Sequence, residues 1–213
     1  MRFILWLALT AAVLLGAGSA MAVEQPAYSV ERAEAELELR QYPGFIVAET
    51  LVTGDFDSAG RTGFRRIAGY IFGKNQSTRG EAEKIAMTAP VTMEPSAERL
   101  AMTAPVTMQA EAVADAPAWR IHFVMPSAYT LDKLPRPLDA EVKLREVPAH
   151  RIAAVTFSGW TTRSSIAENT ARLQAWMAKL GLKPASAPQV ARYNDPFTLP
   201  WNRRNEILIE IAP

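Results

Sequence analysis

Along this chain hydrophobic positions recur mostly at every second residue, and only two stretches shift to a spacing of three to four. The period of two is sharpest in a near-verbatim duplication. Glu83-Lys84-Ile85-Ala86-Met87-Thr88-Ala89-Pro90-Val91-Thr92-Met93 returns fifteen residues later as Glu98-Arg99-Leu100-Ala101-Met102-Thr103-Ala104-Pro105-Val106-Thr107-Met108. In each copy Ile or Leu, Met, Ala, Val and Met share one face, while Ala, Thr, Pro and Thr share the other, as in a strand with one buried face. Paired as an antiparallel hairpin around residues 94–99, the copies would set Ile85 opposite Met108, Met87 opposite Val106 and Val91 opposite Met102. A slip of one residue would destroy that match. The product would be a methionine-rich apolar wall, serving either as core or as the lining of a pocket for a flat apolar ligand.

A weaker repeat spans the chain. Arg40-Gln41-Tyr42-Pro43-Gly44-Phe45-Ile46-Val47-Ala48 resembles Arg145-Glu146-Val147-Pro148-Ala149-His150-Arg151-Ile152-Ala153, each reading as a short strand, a proline turn and a longer strand. The longer strands, 45–53 and 151–158, run into Gly54-Asp55-Phe56 and Gly159-Trp160-Thr161. Phe56, Gly60, Phe64, Ile67, Ala68 and Ile71 then recur at helical spacing up to Gly73. Ile166, Thr170, Leu173, Met177 and Leu180 do the same and stop at Gly181, a C′ glycine. Asp57 or Ser58 is expected to cap the first helix and Thr162 the second. Further strands read at 119–125, 142–147 and 206–211. The expected fold is α+β, a distorted open β-barrel of two pseudo-symmetric β-β-α-β halves with two flanking helices and a ligand cleft at the symmetry axis. Residues 111–118 read as a surface loop, and the proline-rich stretch 184–201 as a long irregular connection.

The N-terminus bears on compartment. Met1-Arg2, an apolar run over 3–18 and Ser19-Ala20-Met21-Ala22 have the make-up of a secretory signal cleaved after Ala22, leaving residues 23–213 as one domain in the periplasm or outside the cell. The run is shorter than the roughly 20 residues of a spanning helix, although an uncleaved anchor is the competing reading. The chain has no cysteine, so neither disulfides nor a lipidated cysteine can hold it, and stability rests on the core. Without Arg2 there remain 22 basic and 22 acidic residues. That balance gives no basic surface for nucleic acid or anionic lipid.

The run Lys84-Ile85-Ala86-Met87-Thr88-Ala89-Pro90-Val91 and the C-terminal Arg192-Tyr193-Asn194-Asp195-Pro196-Phe197 with Arg203-Arg204-Asn205-Glu206-Ile207 resemble the SOUL haem-binding family. Arg40-Gln41-Tyr42-Pro43 and Phe123-Val124-Met125-Pro126 fit as well, and the likeness runs from about residue 28 to residue 211. It implies a two-lobed distorted β-barrel related to the effector-binding domains of bacterial regulators, and non-covalent binding of haem or another tetrapyrrole. Family members place the ring over the first helix, which here offers Arg61, Phe64, Arg65, Ala68 and Phe72. Arg61 and Arg65 lie one turn apart, so two guanidiniums could meet two propionates, or simply be solvated surface. The histidine that one branch of the family carries on this helix is missing. His122, set opposite Ile121 and Phe123, reads as solvent-side or satisfied within the sheet, and His150 lies in a turn. Axial ligation is therefore absent or left to Met, Tyr or water.

Other chemistries find less support. Cys and His clusters with metal spacing are missing, Ser158, Ser164 and Ser165 lack a base, and Gly54, Gly60 and Gly63 form no nucleotide loop. Glu206 either pairs with a neighbouring arginine or acts as a cleft carboxylate or general base. Three functions remain: an exported tetrapyrrole carrier or buffer, a binder or hydrolase of another small apolar molecule using Glu206, and an envelope protein serving protein contacts. The open barrel's edges leave the oligomeric state undecided.

Overall fold

The computed structural model describes residues 23–96 and 117–212. The second copy of the duplicated motif, the signal-like segment and most of the 111–118 loop lie outside the described residues. In chain order the elements are β1 (Ser29–Glu34), β2 (Leu37–Tyr42), β3 (Phe45–Thr53), α1 (Phe56–Ile71), β4 (Asn75–Gln76), β5 (Val91–Ser96), β6 (Ala118–Val124), β7 (Arg136–Pro137), β8 (Lys143–Val147), β9 (His150–Phe157), α2 (Arg163–Lys179), β10 (Gln189–Arg192) and β11 (Asn205–Glu210). Among the described residues nine strands form one antiparallel sheet, ordered β1-β2-β9-β11-β10-β5-β6-β3-β8, which curls into a half-barrel; β4 and β7 pair separately. The α+β expectation holds. No helix among the described residues is long and apolar enough to cross a membrane.

The two faces of the sheet differ. On one, Ala48, Val52, Ile121, Phe123 and Met93 pack against α1, while Ala153, Val155, Ile207, Ile209 and Val190 form a second core with Leu173, Trp176 and Met177 of α2. Phe56 touches both cores and fills the seam between them. The opposite face carries Arg40, Glu49, Thr92 and Glu206, all buried although no helix covers them, because the sheet curls around them.

Local sequence explains how α1 is seated. Asp55 Oδ1 accepts the amides of Asp57 and Ser58 at 3.1 and 3.0 Å, so Asp55 is the cap rather than either residue expected. The residue preceding it, Gly54, has φ +128°, which lets the strand turn sharply into the helix. Gly63 brings α1 close to β6, since a Cβ there would lie 2.7 Å from Ile121 Cγ1. Thr162 caps α2 as expected, and Gly181 follows it at φ +68°.

Two expectations fail. Residues 83–90 are not strand; they pass beside α1, where the Ile85 amide donates to Ile71 O at 2.9 Å. The strand starts only at Val91, after Pro90, which has no amide to give a ladder. Val91 pairs with Phe123 of β6 on one edge and Arg192 of β10 on the other, and its expected partner Met102 lies outside the described residues. Alternation reveals which face is buried but not which strand is the neighbour. In the first copy Ile85 and Met93 are core, Met93 with its sulphur beside Gly60, while Met87 is half-buried. The second failure is the 184–201 connection, which contains β10, a four-residue strand in the middle of the sheet between β11 and β5. Its flanking prolines hid it.

Candidate functional site

The five residues singled out on the first helix all belong to one flank of α1 or its C-terminal cap. Phe64 and Phe72 are 41% and 57% exposed, large values for phenylalanine, and Arg61 and Arg65 are exposed beside them. Neither guanidinium has an ion-pair or hydrogen-bond partner among the described residues. Ala68 is buried, so it offers little surface. The Phe64 ring also meets Phe123 of the sheet, centroids 5.6 Å apart, which fixes its position. The flank thus joins exposed aromatic area to two free cations. It is the chemistry required by an apolar ring edged with carboxylates.

Sequence reading missed a third cation. Arg192 ends β10 on the helix-covered face, and its guanidinium lies 5.1 Å from the Phe56 ring centroid at the start of α1. It is half-buried, and that burial lowers its pKa while Asp57 partly restores it. A partly desolvated cation without a bonded carboxylate attracts an anion. Recognising it required knowing that 189–192 is a central strand.

Glu206 is committed elsewhere. Its carboxylate is fully buried and accepts from Arg40 Nη1 and Nη2 at 2.8 and 3.0 Å, Tyr193 Oη at 2.6 Å, Arg204 Nη2 at 2.7 Å and Thr156 Oγ1 at 3.2 Å. Burial alone would raise its pKa, but the Arg40 hydrogen bonds and charge, with Tyr193 and Arg204, bring it below the usual value. Such a group is a poor base and has few lone pairs left for a ligand. The C-terminal motif builds this knot: Tyr193 and Arg204 supply donors, Asn194 Oδ1 accepts the Arg204 amide, and Asp195 Oδ1 accepts the amides of Phe197 and Thr198. On the same face Glu49 is bonded by Arg120 at 2.7 Å and Arg145 at 2.9 Å.

The histidines lie away from the α1 flank. His122 is neither solvent-side nor fully satisfied: its side chain is on the enclosed face, opposite Glu49 and Thr92, and Nδ1 is buried without a partner among the described residues. Burial pushes its pKa down to about 4. His150 stacks on Tyr42, centroids 5.8 Å apart, and its Nδ1 lies 2.7 Å from Pro148 O. Among the described residues, no group of three or more His, Asp or Glu is placed to hold a metal ion.

The profile of a family described as SOUL heme-binding protein matches residues 23–210. Human heme-binding protein 2 is 28% identical over 197 residues, covering 89% of this chain and 86% of that protein. Among solved structures, a hydrolase from Listeria innocua superposes with TM-score 0.55 at 13% identity, covering 85% of this chain and 94% of that one. The EcmrR C-terminal domain gives TM-score 0.56 at 13% identity, with coverages of 87% and 98%. These two share the fold. With the half-barrel, the two helices and the knot tied by the C-terminal motif, the profile match over nearly the whole chain establishes that this protein belongs to the SOUL heme-binding protein family.

Proposed function

We propose that the protein is an exported carrier or buffer of haem or a closely related tetrapyrrole, held non-covalently on the exposed flank of α1. Family membership supports haem binding, and the carrying observation is the pairing of Arg61 and Arg65, unpartnered among the described residues, with exposed Phe64 and Phe72 on one flank. The residues fit the group. Phe64 and Phe72 would contact the ring, Arg61 and Arg65 its propionates, and Arg192 would add positive potential from the start of the helix. Bound haem would supply an iron, for which this flank offers no histidine. Recognition therefore rests on the ring and its carboxylates. The signal-like segment over residues 1–22 supports export, and the balanced charge of the remainder supports a small-molecule partner rather than nucleic acid.

The test is titration of purified protein with hemin and with iron-free protoporphyrin IX, followed by the Soret band. Saturable binding of both, with affinities within about ten-fold of each other, is expected when coordination contributes little. Failure of either to saturate would overturn the reading.

A further inference from the structure

Four large apolar side chains stand in solvent on two loops at one end of the sheet. Phe197, Trp201 and Leu199 are 93%, 69% and 52% exposed on the loop joining β10 to β11, and Trp160 is 59% exposed on the loop joining β9 to α2. The two loops are tied together: the Gly159 amide donates to Pro200 O at 2.9 Å, and Asn205 Nδ2 donates to Gly159 O at 3.0 Å. Arg203 lies between them. Its guanidinium is 4.2 Å from the Trp160 ring centroid, while Nε donates to Thr198 O and Nη2 to Pro196 O, both at 2.8 Å. Asp195 Oδ1 fixes the first turn of the longer loop through the amides of Phe197 and Thr198. A hydrogen-bonded framework thus holds these rings outward. Keeping them in water is unfavourable, and such clusters mark surfaces that something covers.

The chemistry of the patch favours a lipid surface over a protein. Four side chains on two loop tips fall short of the roughly 20–30 residues a side of a standard protein interface. Projecting tryptophan, phenylalanine and leucine suit the depth at which bilayer headgroups meet acyl chains. Arg203, stacked on Trp160, and exposed Arg163 at the start of α2 supply cations for headgroup phosphates. The acid of the loop, Asp195, is turned onto loop amides. The chain also enters the described fold on this end. Glu24 bridges to Thr88, three residues before Val91, which pairs with Arg192 at the root of the aromatic loop, and Gln25 Oε1 accepts from Arg204 Nη1 at 3.1 Å. The apolar run over residues 3–18 precedes that entry point, so translocation or anchoring through it would bring this end to a bilayer.

We propose that Trp160, Phe197, Leu199 and Trp201 form a membrane-docking surface that inserts into the headgroup region of a phospholipid bilayer, with Arg203 and Arg163 meeting the phosphates. The rings supply the attraction and the arginines set the depth, so docking needs no net positive charge, in keeping with the balanced composition of the chain. None of the four side chains belongs to the α1 flank, and docking does not depend on tetrapyrrole binding.

Co-sedimentation of residues 23–213, which contain every described element, with phosphatidylcholine vesicles tests this without the apolar N-terminal run. The protein is expected to bind, with affinity changing by less than about three-fold on raising salt to about 0.5 M, since exposed charges contribute little. Its tryptophan emission should be quenched by lipids brominated on the acyl chains. Phe197→Ser/Trp201→Ser is expected to weaken vesicle binding by at least about ten-fold, because it removes the apolar area of two rings. Both side chains are exposed, so circular dichroism and hemin affinity should stay as in wild type. Wild type left in the supernatant, or a double variant that sediments like it, would overturn the assignment. A wild-type dimer in analytical ultracentrifugation that the double variant abolishes would also overturn it, giving the patch to a second copy. An equal fall in hemin affinity would overturn it too, giving the patch to the tetrapyrrole.

Discussion

Four side chains donate to Glu206, and three of those donors, Arg40, Tyr193 and Arg204, come from β2 and the C-terminal motif. Removing the acid leaves the buried Arg40, whose side chain is 1% exposed, with only the partly exposed Glu38, 2.7 Å from its Nε, as counter-charge, and strips both Nη atoms of their carboxylate. Glu206→Ala is expected to cost about 3–5 kcal/mol in denaturant unfolding. A loss below about 1 kcal/mol would contradict a structural role. His122 makes a different prediction. Its pKa falls from 6.5 in the unfolded chain to about 4 in the fold. Between those values the unfolded chain binds the extra proton, so stability declines as pH falls, by about 1.4 kcal/mol per pH unit and roughly 3 kcal/mol in all. Above pH 6.5 the ring is neutral in both states and contributes no slope. Glu94, raised by burial, acts in the opposite sense as it gains its proton. His122→Asn should therefore flatten the acid side of the unfolding curve relative to wild type, and identical pH profiles would show that the ring is not enclosed as described.

At the scale of elements, α1 is positioned by contacts that can be removed singly. Asp55→Ala takes away the cap and is expected to cost about 1 kcal/mol in thermal unfolding. Gly63→Ala drives a methyl into Ile121 and is expected to cost about 1–3 kcal/mol. It should also displace α1, and so weaken hemin binding although Gly63 is buried; unchanged stability and binding would refute the close approach. The helices were legible because Phe56, Ile67 and Ile71, or Leu173 and Met177, repeat at helical spacing over four turns. The strand Phe45–Thr53 was legible to the residue. β10 was not, because four residues between prolines carry too little pattern, and the placement of 83–90 was not, because alternation in a segment beside a helix mimics a strand. Asp55 was overlooked as a cap because Asp57 and Ser58 stand equally near the helix start.

At the scale of the molecule, one sheet separates two environments. The helix-bearing side presents cations unpaired among the described residues and exposed aromatic rings; the enclosed side holds two buried ion clusters. The C-terminal motif ties down the enclosed side. The α1 flank, proposed as the ligand site, was found through the resemblance and the helical spacing of Arg61 and Arg65. Arg192 escaped notice because only the tertiary fold brings it to Phe56.

Hemin titration of the Arg61→Glu/Arg65→Glu protein, read at the Soret band beside wild type, tests the central claim most directly. Both arginines are exposed and unpaired among the described residues, so the melting temperature should stay within about 2 °C of wild type. Affinity should fall by at least about ten-fold, the loss expected when two attractive charges become repulsive ones. Equal affinity in the two proteins, with both fully folded, would contradict the placement of the tetrapyrrole on α1.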